Sequence, residues 1–300
     1  MIENVAGELA ALGTACCWTV SAMSFELASK RVGSLSVNLI RLLFAFVMFS
    51  IYMGARTGWF LPLHASPHAW FWLSLSGIVG FALGDLFLFQ AFVEIGSRIS
   101  MLIMASVPIL TALIGWFFLG ETMTRWDLIG MFVTICGISL VVLERNPEND
   151  RSLRLKHSLR GILLACGGAA GQAIGLVLSK YGMEGHFDPF AATQIRVISG
   201  ILGFGLILTV YRRWGRFRQS ITNRSALIPV SLGSFFGPFL GVSLSLLAVQ
   251  YTTTGVASTL IAIVPVLIIP PAIIIYKERV TVKEILGAII TICGVVFFFI

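Results

Sequence analysis

The chain has 300 residues, of which 57% are hydrophobic and 12% charged, with a formal net charge of +7. A soluble domain is about one quarter charged, so a mean hydropathy of +0.93, with charges bunched between long apolar runs, excludes a water-soluble fold and indicates a polytopic membrane protein. The basic surplus lies at the ends of apolar runs and in two loops, which excludes a nucleic-acid footprint and leaves the lipid bilayer as the large partner.

Ten apolar runs of about 19–24 residues are predicted, the length a bilayer core requires. They lie near 5–27, 36–55, 70–93, 98–119 and 125–143, then near 160–181, 189–211, 226–249, 254–276 and 281–300. The first run is flanked by Glu3 and Glu8, without a basic leader or a small-residue cleavage site, and reads as a retained helix. Its middle holds Trp18, whose indole N–H needs a partner at mid-membrane. Arg41 lies inside the second run and Asp85 deep in the third, followed by Gln90. Pro108 falls within the fourth run and Pro265 within the ninth, where each removes a backbone donor and sets a helix kink. The five cysteines (Cys16, Cys17, Cys136, Cys166, Cys293) lack metal spacing and read as small core residues.

The sequence is written twice. An offset of 157 residues carries Ala105-Ser106-Val107-Pro108 onto Ala262-Ile263-Val264-Pro265, Gly80 and Gly84 onto Gly237 and Gly241, and Thr134-Ile135-Cys136-Gly137 onto Thr291-Ile292-Cys293-Gly294. Residues 1–145 and 160–300 therefore form two five-helix repeats joined by a polar linker over 146–159. Five is odd, so the second repeat enters the membrane from the opposite side. The expected fold is all-α, with ten transmembrane helices as two inverted repeats. The basic segments around Lys30, Arg145–Arg160, Arg212–Arg224 and Lys277–Lys283 then share one side. By the positive-inside rule that side is the cytoplasm, and both termini lie outside it. The small-xxx-small pairs Gly80/Gly84 and Gly237/Gly241, with Gly167, Gly171 and Gly175, predict close helix packing.

Several residues have two readings each. Asp85 is a substrate-ammonium or proton-coupling site, or the ion-pair partner of Arg41 or Arg196. Arg41 and Arg196, equivalent in the two copies, are architectural charges or carboxylate-binding groups. Trp18 and its counterpart Gln172 are a cavity wall or an interhelical hydrogen-bonding pair, with Gln90 and Ser243 among the added polar lining. Glu121 and Glu278, at helix ends, pair locally or favour a helix N-terminus.

The chain resembles the ten-helix EamA-type permeases of the drug/metabolite transporter superfamily. The resemblance covers nearly the whole chain. It rests on Trp18 in the first span, Arg41 opening the second, Phe89-Gln90-Ala91-Phe92 ending the third, Pro108 in the fourth and Gly120-Glu121 after it; Arg196, Ala248, Pro265 and Glu278 repeat the pattern. A Lys common in the family eight residues after the tryptophan is Glu26 here, while the second copy has Lys180. The family is usually drawn with both termini cytoplasmic, opposite to the charge bias here. The resemblance implies a transporter, an exporter of small polar or amphipathic metabolites such as amino acids, in a bacterial inner membrane; the inverted repeats with mid-membrane prolines favour alternating access, and Asp85 makes protons the candidate coupling ion. A channel or scramblase-like facilitator is the alternative. A membrane-embedded enzyme is a weaker one, because the sequence carries no P-loop, no His-Glu-x-x-His motif and no paired His/Asp cluster, its four histidines (His64, His68, His157, His186) all lying in loops.

Overall fold

The computed structural model describes residues 2–118, 125–146, 149–155, 157–183, 187–251, 257, 260–277 and 280–297. Glu121 and Glu278 lie outside them. The first half begins with α1 (Ile2–Val32) and α2 (Ser34–Thr57), which meet at Gly33, whose φ of 87° only glycine adopts readily. A long third element, α3 (Pro67–Met104), is capped by Ser66, which accepts from the Ala69 N–H. After it come α4 (Val107–Phe118) and α5 (Arg125–Val142). The linker is a short antiparallel hairpin of β1 (Leu143–Asn146) and β2 (Asn149–Leu155).

The second half contains α6 (Leu159–Met183), α7 (Pro189–Val210), a nine-residue surface helix α8 (Trp214–Thr222), α9 (Arg224–Tyr251), α10 (Val264–Tyr276) and α11 (Val282–Val296). Among the described residues, five elements have the length and apolarity of a membrane crossing: α2, α3, α6, α7 and α9. Many of their outward side chains are apolar, including Ile51, Leu202, Leu206 and Ile228, as a lipid-facing surface requires. Cys16, Cys136, Cys166 and Cys293 also face outward and only Cys17 is buried, which corrects the expectation of five core cysteines.

Two features of α3 recur in the second half or shape the centre. Residues Gly77–Gly84 wind as a π-helix, and so do Phe235–Gly241 in α9, one repeat offset away. A π-turn widens the helix and turns the following side chains to a new face, and such turns cluster at functional sites. At Gly96, with φ 79° and ψ 162°, α3 breaks and restarts at Ser97. The restart is capped from α1: Oε2 of the buried Glu26 accepts from the Ser97 N–H at 2.8 Å, while Oε1 accepts from Lys30.

The halves interlock through glycines, with neighbouring helices antiparallel. Gly84 meets Gly171 and Gly80 meets Gly175, so α3 and α6 touch backbone to backbone. A Cβ on Gly171 would lie 2.5 Å from the Gly84 Cα. On the other side α9 packs on α1, with Gly241 against Trp18 and Gly237 against Ser21. Helices α5 and α11 form a self-complementary contact: a Cβ at Gly137 would lie 2.4 Å from Thr291 Oγ1, and one at Gly294 2.4 Å from Thr134 Oγ1. These four residues are two pairs of repeat equivalents, so the contact has the form of a local two-fold. Without a hydrophobic drive in lipid, close backbone approach of this kind supplies the dispersion contacts that hold helices together.

Candidate functional site

Pro108 and Pro265 stand where helices begin. The fourth predicted span breaks into a turn at Ala105-Ser106, and α4 restarts at Val107 with Pro108 second. The ninth breaks at Ala262-Ile263 and restarts at Val264 with Pro265 second. In a first turn the missing N–H of proline has no intrahelical partner to lose. Pro108 and Pro265 therefore open new helical segments, and the expected kink within a continuous helix is replaced by a discontinuity.

Both discontinuities face one cavity, with about 70 Å³ open to water-sized molecules. Its wall contains Met104 and Ile261, Ala105 and Ala262, Val107 and Val264, and Pro108 and Pro265, each pair separated by the repeat offset. Trp18 and Gln172, the counterparts on α1 and α6, complete it with Arg196, Val242 and Ser245. A second cavity of similar size shares Trp18, Met101, Met104, Gln172 and Val242 with the first, and is lined further by Arg41, Phe81, Asp85 and Phe89.

Asp85 follows directly on the first π-segment and is buried, 4% exposed. Its Oδ2 pairs with the Arg41 guanidinium, and its Oδ1 accepts from Gln172 Nε2 at 2.8 Å. Asn38, one turn before Arg41 on α2, positions both partners. Its Oδ1 accepts from Arg41 Nε at 3.0 Å, and its Nδ2 donates to the Asp85 carbonyl at 3.2 Å. The Arg41 guanidinium also lies over Phe89, 4.6 Å from the ring centre. Of the two partners the sequence allows for Asp85, the one in contact is Arg41.

Arg196 is 3% exposed and lines the first cavity. Its guanidinium lies over Phe81 at 4.5 Å and passes the Gly80 backbone, where a Cβ would be 3.2 Å from it. Its Nε has no hydrogen-bond partner, and no carboxylate among the described residues pairs with it. Trp18, Gln172, Asp85, Arg41 and Arg196 are thus gathered at one centre.

The remaining predicted site residues lie elsewhere. Gln90 is five residues beyond Asp85, turned well away from it on the helix; its Oε1 accepts from Ser34 at 2.9 Å, and it lines neither cavity. Ser243 is one residue past Val242, rotated out of the wall, and donates to Thr193 Oγ1 at 3.5 Å. The residue in the wall is Ser245, three past Val242 and so back on the same face. Glu26 caps the restart of α3, and Lys180 lies exposed near the end of α6, about two turns beyond Gln172. Sequence reasoning gave no role to Asn38, Phe81 and Phe89. Asn38 carries a usable signal, since a polar residue three before a buried Arg shares its helix face.

A helical bundle with an apolar exterior and a buried, partly charged cavity defines an integral membrane protein. The EamA-like transporter family model matches twice, over residues 5–143 and 159–300. The chain belongs to that family, as an EamA-type permease of the drug/metabolite transporter superfamily. No match is found among curated proteins. Among solved structures, one titled only "Crystal structure of protein" aligns over 97% of this chain and 95% of its own, with a TM-score of 0.67 and 14% identity, a likeness of fold alone.

Proposed function

We propose that this protein is a secondary transporter that moves small polar or amphipathic metabolites by alternating access through the central cavity. The observation that carries this reading is the cavity wall, built from repeat-equivalent residues of both halves at two helix discontinuities. Substrate sites of secondary transporters commonly lie at the repeat interface beside broken helices, because irregular backbone is tolerated at membrane depth only where it is buried or lines a cavity. Export is the direction implied by the family resemblance.

In this reading ten spans form two inverted five-helix repeats, 1–145 and 160–300. The antiparallel glycine contacts support it. So does the sidedness of the polar ties, since strict alternation of ten spans puts each tie within one face. Arg56–Asp188 at 3.1 Å joins loops on one face, while Arg160–Glu94 at 3.2 Å and Arg98–Glu284 at 3.1 Å join segments on the other. That second face holds most of the Lys and Arg, so it is the cytoplasmic one and both termini lie opposite.

Asp85 and Arg41 form the fixed polar pier of the site. Gln172, reaching Asp85 from the second half, is a contact that rocking of the halves can make and break. The test is reconstitution of the purified protein in liposomes with a metabolite panel, with and without a pH gradient. Saturable uptake of one chemical class supports the reading, and the absence of flux for every class contradicts it.

A further inference from the structure

The buried centre of the bundle is electrically unbalanced. The charged groups lining its two cavities are two guanidiniums, on Arg41 and Arg196, and one carboxylate, on Asp85, while the buried Glu26 and Glu284 pair with Lys30 and Arg98 away from them. Asp85 is committed: one oxygen pairs with Arg41 and the other accepts from Gln172. Asp85 also attracts Arg196 without an ion-pair contact, so the three groups together keep a net single positive charge, in an environment where an incompletely compensated ion is costly. Cation–π contact with Phe81 offsets part of this, since a ring face attracts a cation, but it supplies no counter-charge.

The unpaired guanidinium borders a cavity whose other lining is mostly apolar. Trp18 lines the same space, with the Nε1 edge of its indole against Gly241 on α9. The lining thus offers a fixed cation and mostly apolar walls, with no free anion to hold an ammonium group.

From this we infer that Arg196 is the substrate-binding cation of the cavity, and that the substrate class is a small monocarboxylate with an apolar body and no compensating positive charge. A carboxylate matches the planar guanidinium fork, which binds two oxygens side by side. One negative charge neutralises the centre, whereas a zwitterion leaves the surplus in place and a cation adds to it. Arg41 cannot share the role while Asp85 holds it. The inference rests on the cavity being the transport pathway, but binding at Arg196 can be measured without transport.

The experiment uses four ligands of nearly the same shape: isovalerate, isovaleramide, leucine and isopentylamine. Binding to the full-length protein in detergent is measured by calorimetry or thermal shift, and flux is measured in liposomes. Isovalerate is expected to bind at least tenfold tighter than the amide and the amine, and tighter than leucine. Arg196→Gln is expected to abolish that preference while leaving the ligand-free protein as stable as the wild type, because it removes an unpaired charge. Arg196→Lys should keep a weakened preference for the anion. Should Arg196→Gln fail to fold, the ligand order on the wild type and the weakened anion preference of Arg196→Lys still decide the matter. Equal binding of acid and amide, a preference for leucine or the amine, or no binding of any of the four overturns the inference. Anion binding without flux contradicts the transporter reading and leaves the site standing. Flux of other metabolites without anion binding does the reverse.

Discussion

Arg41 and Arg196 occupy corresponding helices in the two halves and are equally buried, yet Asp85 pairs only with Arg41. The position equivalent to Asp85 in the second half is Val242. The duplicated architecture therefore diverges at its centre, with one arginine in an ion pair and the other lining the first cavity without one.

The locked pair should behave as structure. Asp85→Asn leaves the Arg41 charge buried without a counter-ion, and removing one partner of a buried pair costs about 3–5 kcal/mol. Thermal unfolding in detergent should show that loss. Replacing Arg41 with Met in the same protein should recover most of it, and a double variant no more stable than Asp85→Asn would refute the pairing.

Glycine contacts make a graded prediction. A Cβ at Gly171 meets the Gly84 backbone, which cannot move aside without shifting α3, whereas Gly205 has nothing within 4 Å of the same point. Gly171→Leu should destabilise the bundle by at least the 1–3 kcal/mol typical of overpacking, and Gly205→Leu should leave its melting temperature unchanged. Equal effects would show that α3 and α6 are not in close contact.

Glu26 holds the restart of α3 at Ser97. Glu26→Ala removes a charged acceptor from a buried backbone N–H, a loss of about 1.5–3 kcal/mol. Hydrogen exchange at Ser97 and the following turn should rise in that variant, and unchanged protection there would show that the cap is dispensable.

Orientation can be read by labelling single cysteines in intact cells, in a background without the five native ones. Gln219 on α8 and His64 in the loop after α2 are on opposite faces in the proposed topology. A cysteine at His64 should react with an impermeant reagent and one at Gln219 should not. The opposite pattern inverts the topology.

Much of the fold can be read from the sequence because the duplication repeats it. Pro108 and Pro265 fall at matched discontinuities, and the glycine pairs mark the contacts of α3 with α6 and of α9 with α1. The π-segments at Gly77–Gly84 and Phe235–Gly241 are invisible, since a π-turn and an α-turn have the same composition and differ by one residue of winding. Helix α8 escapes detection because nine residues of mixed polarity, with Arg216 and Arg218 among them, resemble a solvated loop. At the site, sequence narrows the partner of Asp85 to two arginines and cannot choose between them. The choice depends on how far the π-segment rotates Asp85 toward α2, a tertiary matter. The misplacement of Gln90 and Ser243 has the same origin, because polarity alone does not say which side of a buried helix a residue faces.

Counterflow tests alternating access through the cavity most directly. Liposomes containing the protein are loaded with unlabelled substrate and diluted into labelled substrate. A carrier whose site faces one side at a time exchanges the two, so labelled substrate should accumulate transiently above its outside concentration and much faster than in empty liposomes. The cavity-filling substitution Val242→Trp should abolish the effect. Uptake that simply equilibrates, at a rate indifferent to the substrate loaded inside, would contradict alternating access and identify the pathway as a channel.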